Sequence, residues 1–98
     1  MVLQIVTLKV INTSFGKYYA QNPEWVYDAI KYAAKNDVLI VNAAGNEGLS
    51  LDDPANRVYP NDQLDNITEM ADTFLTIGAL APKYGSQLLA NFSNYGKS

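Results

Sequence analysis

The hydroxyls of Ser14, Ser50, Ser86, Ser93 and Ser98 are the candidate nucleophiles of this chain, and none has an imidazole to activate it, because the 98 residues include no histidine. A serine hydroxyl is a weak nucleophile until an adjacent base takes its proton. Ser-His chemistry therefore cannot be completed within this sequence. Cysteine is absent as well, which removes thiolate nucleophiles, disulfides and zinc sites of the usual ligand types. Asp52, Asp53, Asp62 and Asp65 supply the clustered oxygens that calcium takes, but their spacing matches no calcium loop, and a solvated loop is the simpler reading. No cofactor is expected. Gly45-Asn46 closes an apolar run, and such a pair commonly marks a turn. A glycine-rich strand end could also cradle phosphate, yet neither Gly-x-Gly-x-x-Gly nor Gly-Lys-Ser/Thr is present.

Four segments must position these groups. Lys9-Val10-Ile11-Asn12-Thr13-Ser14 is β-branched and closed by Gly16, the pattern of a strand running into a turn. Asn22-Pro23-Glu24 gives an N-cap, a proline at the first helical position and an acid in the first turn. Val26, Ala29, Ile30 and Ala33 follow at helical spacing, which predicts a helix over 23–35. Lys31 and Lys35 suit its C-terminal dipole, and Asn36 is expected to end it in the left-handed conformation. Trp25 and Tyr32 read as packing residues. Val38-Leu39-Ile40-Val41 is continuously apolar, as in a strand of a parallel sheet covered on both faces. Thr73–Ile77 reads as a third strand, and 88–92 as a short further one. Strand, helix and strand form a crossover unit. The fold class is α/β, a partial doubly wound parallel sheet.

From Gly45 to Asp72 periodicity is weak, and seven of the ten acidic residues fall there against one Arg57. Long stretches of this kind inside compact domains are often functional. This one starts at a strand's carboxyl end, where open α/β sheets bind ligands, and Ser14-Phe15-Gly16 follows another such end.

A hydrophobic content of 48% is that of a globular chain, and 98 residues with no repeat or linker make one unit, 1–98. A net charge of −3 with seven basic residues gives no basic stripe, so neither nucleic acid nor an anionic membrane is expected as a partner. No apolar run approaches the roughly 20 residues of a membrane span, and Met1–Val6 lacks the basic start and small-residue cleavage site of a signal peptide. So short a chain buries a small share of its surface, which favours self-association.

Taken in order, Val10-Ile11-Asn12-Thr13-Ser14-Phe15-Gly16 and Val38-Leu39-Ile40-Val41-Asn42-Ala43-Ala44-Gly45-Asn46-Glu47-Gly48 resemble two consecutive strand ends of the subtilase family, the subtilisin-like serine peptidases. Tyr59-Pro60, Phe74–Ala79 and Leu89–Gly96 resemble the family's next segments. The similarity spans about residues 9 to 98, residues 1 to 8 match poorly, and the Ala-Ala-Gly-Asn-Glu-Gly run is its specific part.

This resemblance implies an internal fragment of a catalytic domain. Subtilases order their triad Asp, His, Ser; the first two motifs lie upstream of the segment seen here and the third downstream, and none of the five serines stands in the nucleophile motif. Asn46 matches the oxyanion-hole asparagine, whose neutral amide N–H stabilises the charge that develops on a peptide carbonyl. Ser14, Phe15 and Gly16 match the strand that pairs with an extended peptide substrate. Ala43, Ala44 and Gly45 match a wall of the pocket for the residue before the scissile bond. Phe15 reads equally well as a plain core aromatic. Asn42 stands where the family has a small apolar residue, so its amide, if buried, needs partners. The implied activity is serine endopeptidase, with a peptide or protein substrate and with this fragment inert by itself. A degenerate, non-catalytic peptide-binding module is the alternative. Calcium is possible in the parent protein, and family habit favours a secreted or cell-envelope location.

Overall fold

The computed structural model describes residues 9–64, 68–69 and 71–97; the expectations for residues 1 to 8 and for Asp65 lie outside them. Three parallel strands form its centre: β1 (Val10–Thr13), β2 (Leu39–Ala43) and β5 (Phe74–Ile77), in the order β1-β2-β5. A helix, α1 (Pro23–Lys35), joins β1 to β2, and a two-stranded antiparallel pair, β3 (Gln63–Leu64) and β4 (Thr68–Glu69), lies in the connection to β5. The partial α/β parallel sheet expected from the sequence is present, and the helix has the predicted bounds.

Its two ends are built differently. At the N-terminus Pro23 needs no amide partner, the Asn22 side chain makes no capping bond, and the Asn22 carbonyl accepts from Trp25 N–H at 3.1 Å. At the C-terminus the left-handed residue is Asp37 (φ 57°), not Asn36 (φ −101°), which corrects the sequence expectation by one position. Asp37 N–H donates to Ala34 O (3.1 Å) and Val38 N–H to Ala33 O (3.0 Å). Those are the two bonds of a Schellman closure, with Asp37 in the place glycine usually takes. Asn36 serves differently, donating through Nδ2 to Tyr32 O at 2.8 Å.

Strand register sorts the side chains between two faces. Ile11, Ile40 and Phe74 are side by side, and Ile40 and Phe74 join Ile30, Ala33, Val38 and Ala71 in the core. Full burial of Ile or Phe stabilises by about 1.5–3 kcal/mol each, so this one-sided cluster carries much of the fold. The other face presents Val10, Leu39, Val41, Leu75 and Ile77, with Val10, Leu75 and Ile77 54%, 45% and 49% exposed. Trp25 and Tyr32, read as packing residues, are also exposed. They sit at helix positions turned away from the buried stripe of Tyr27, Ile30 and Ala33.

The long segment after β2 is anchored by side chains rather than by ladders. Asp53 caps a short 3₁₀ turn, Pro54–Asn56, by accepting from Ala55 N–H at 2.9 Å. The Arg57 guanidinium lies over the rings of Tyr27 and Tyr59, 5.8 and 5.7 Å from their centres, and donates to the Tyr27 hydroxyl and the Gln63 carbonyl. Tyr59 precedes a cis Pro60 and pairs with Lys17 through two backbone bonds. Residues 88–92, read as a short strand, make one antiparallel bridge, Leu80 with Leu89, after a 3₁₀ turn at Gly85–Gln87.

Candidate functional site

Because β1 and β2 are parallel neighbours, their carboxyl ends open at one edge of the sheet. The segment after β1 and the loop after β2 bound a cleft of about 170 Å³ there. Ser14, Phe15 and Gly16 line one side, and Ala43, Gly45 and Asn46 the other. Six of the seven candidate residues thus share one cavity. Ala44 is buried and lines a separate small cavity with Asn42 and Pro60. Phe15 is exposed and also borders a larger apolar groove along α1.

Below the cleft Asn42 is 2% exposed and fully engaged. Its Oδ1 accepts from Thr13 Oγ1 at 2.6 Å, and its Nδ2 donates to Ala43 O at 3.0 Å and Pro60 O at 3.4 Å. These are the partners its burial demands, and they tie β1, β2 and the Tyr59-Pro60 turn together immediately beneath the site.

Asn46 sits on an exposed turn. Its backbone N–H donates to Glu47 Oε2 at 3.0 Å, while its side-chain amide has no hydrogen-bond partner among the described residues. The turn needs Gly45. Its φ is +106°, and a Cβ there would stand 2.5 Å from Asn94 Nδ2, so both backbone conformation and space exclude a side chain. Across from the turn, Gly48 N–H donates to Phe92 O (2.8 Å), Asn94 N–H to Gly45 O (2.9 Å), Tyr95 N–H to Leu49 O (3.1 Å) and Leu51 N–H to Tyr95 O (2.7 Å). The loop is therefore laced to a segment far along the chain.

Three residues that hold the site were not singled out from the sequence. Glu47 Oε2 accepts from the Tyr18 hydroxyl (2.6 Å), Asn46 N–H (3.0 Å) and Asn94 Nδ2 (3.2 Å). The Tyr18 hydroxyl first, and the Asn46 and Asn94 donors after it, hold the Glu47 carboxyl below the usual carboxylate range. Burial, and then the same bond to Glu47, push the Tyr18 phenol up. Asn94 is 1% exposed, and neighbouring Ser93 is equally buried, accepting from Ala79 N–H and donating to Asn94 O. Asn94 lay within a segment that resembled the family, but nothing in its spacing tied it to Asn46; only the Phe-Ser-Asn context of a buried amide could have drawn notice.

Asn46, whose side-chain amide has no hydrogen-bond partner among the described residues, lines the cleft between two strand ends. Ser14 Oγ donates to Asn12 Oδ1 at 3.1 Å and is bonded to no basic side chain among the described residues. Among the described residues no group of three or more acidic side chains is placed to hold a metal ion, and no helix is long and apolar enough to cross a membrane.

No curated protein matches the chain. A solved lanthipeptide protease is similar to it, with a TM-score of 0.65 and 26% identity over 90% of this chain and 26% of that one. The chain thus spans about a quarter of that protein's length. The profile of the subtilase family matches residues 7–98, nearly the whole sequence, and the chain belongs to that family.

Proposed function

We propose that this chain is the segment of a subtilisin-like serine endopeptidase that supplies the oxyanion-hole donor and part of the substrate cleft. The observation that carries this reading is the side-chain amide of Asn46, without a hydrogen-bond partner among the described residues, on the wall of a cleft between two parallel strand ends. In the reaction a serine hydroxyl, its proton taken by histidine, attacks the peptide carbonyl, and the electron pair of the C=O bond moves onto oxygen. Asn46 Nδ2–H stabilises that charge by hydrogen bonding and transfers no proton. Nucleophile, base and aspartate come from outside this chain, whose sequence has no histidine. Ser14, Phe15 and Gly16 hold the substrate backbone as an added strand, and Ala43 and Gly45, backed by the buried Ala44, leave room for a large apolar side chain before the scissile bond.

Asn46→Ala tests the assignment in the complete peptidase. Turnover is expected to fall by about 10²–10³, the loss known for removing one such donor in a subtilisin and borrowed from that enzyme, with little change in KM. An unaltered kcat would overturn it. The 98-residue chain alone is expected to take up no serine-directed fluorophosphonate, and labelling would place a nucleophile within it.

A further inference from the structure

Asn94 directs most of its side-chain bonds at one loop. Oδ1 accepts from Glu47 N–H (3.2 Å) and Leu49 N–H (2.9 Å). Nδ2 donates to Ala44 O (2.9 Å) and faces Tyr18 Oη (3.1 Å) and Glu47 Oε2 (3.2 Å). Its own backbone N–H donates to Gly45 O at 2.9 Å. A primary amide offers two donors and two acceptor lone pairs, and here every one is engaged. Apart from Tyr18, the partners are residues 44, 45, 47 and 49, on both sides of Asn46, and Asn46 itself is passed over. The only position in the turn whose side chain must stay free for a ligand is framed by contacts to a single buried group. Gly45 fits the same design, since its missing Cβ is what lets Asn94 Nδ2 approach.

We propose that Asn94 is a positioning residue for the Asn46 donor, fixing the backbone of residues 44–49 so that the Asn46 amide is held in the cleft before substrate arrives. This rests on the reading of Asn46 as the oxyanion donor. Preorganised donors act because no reorganisation accompanies the reaction, and a misplacement of about 1 Å can cost roughly 10²-fold in rate. A residue that never touches substrate can therefore control turnover.

Amide hydrogen exchange on the 98-residue chain tests the hold directly. In Asn94→Ala, protection at Glu47 and Leu49 is expected to drop at least tenfold more than at Leu39 and Ile40, whose N–H groups bond to Lys9 O and Thr73 O within the sheet region. A drop shared equally with Leu39 and Ile40, or no drop, would overturn the proposal. Asn94→Ser, a smaller truncation, gives the same comparison if the alanine variant does not fold. In the complete peptidase, Asn94→Ala should lower kcat by roughly 10- to 100-fold with KM little altered, and should cost less than twofold further in the Asn46→Ala background. Full additivity of the two substitutions would refute positioning. If Asn46→Ala alone leaves kcat intact, it is the oxyanion reading that fails, and the exchange comparison still decides whether Asn94 holds the loop.

Discussion

Glu47 and Tyr18 share one short hydrogen bond; it is the main cause that holds the carboxyl down, and it adds to the burial that pushes the phenol up. The bond is made when Glu47 is ionised and Tyr18 protonated. A carboxyl whose folded pKa is depressed contributes stability that is present above its unfolded value and lost as pH falls through the folded one; a phenol with a raised pKa contributes below its unfolded value and loses it as pH rises through the folded one. Stability should therefore decline as pH drops through and below the ordinary carboxylate value of 4.5, and Glu47→Gln should flatten that part of the profile. Urea denaturation at a series of pH values checks this, and an unchanged slope in the variant would assign the acid sensitivity to other carboxyls. The place of Asn46 on a turn after β2 was legible at this scale because its neighbours in sequence form a specific run. The network around it was not, since Tyr18 and Asn94 lie 29 and 47 residues from Glu47 and no local pattern links them. Asn42 stands between these cases: its need for partners was legible, but Thr13 Oγ1 and Pro60 O become visible only when β1 and the Tyr59-Pro60 turn are in place.

Helix α1 was the most readable element, because Asn22-Pro23-Glu24 and the Val26, Ala29, Ile30, Ala33 spacing are local signals. Its C-terminus shows what such signals omit. Asn36 and Asp37 both tolerate left-handed backbone, and the choice of Asp37 follows from where Val38 must turn to enter the core, its N–H returning to Ala33 O. An acidic residue there opposes the helix dipole and carries the left-handed penalty that glycine lacks. Asp37→Gly is expected to raise stability by about 0.5–1 kcal/mol, seen as a higher urea midpoint at unchanged m-value. A lower midpoint would mean that the Asp37 side chain has a stabilising role its exposed position does not reveal. The short apolar run at 88–92 misled for the opposite reason: four to five apolar residues carry no periodicity, and after the Gly85–Gln87 turn only Leu89 meets a partner strand, at Leu80.

At the scale of the whole molecule, the sheet has a core on one face and Val10, Leu39, Val41, Leu75 and Ile77 open on the other. Parallel sheets are almost always covered on both faces, and the sequence pattern of β2 already called for such cover. The chain by itself is expected to associate through this face, with light scattering showing mass that rises with concentration. Leu75→Lys combined with Ile77→Lys should shift it toward monomer, and a strict monomer at high concentration in the unsubstituted chain would count against the expectation. The lacing of residues 45–51 to 92–95 has a temporal meaning as well. Domains emerge from synthesis N-terminal end first, so β1, α1 and β2 are made, and the Gly45-Asn46 turn with them, about 45 residues before the segment that laces that turn exists. The cleft matures late, and a chain ending before Phe92 would keep the helix and its first two strands while leaving the Asn46 turn without its bonds to residues 92–95, held by the Tyr18–Glu47 contact and the Ala44–Ile77 backbone bond.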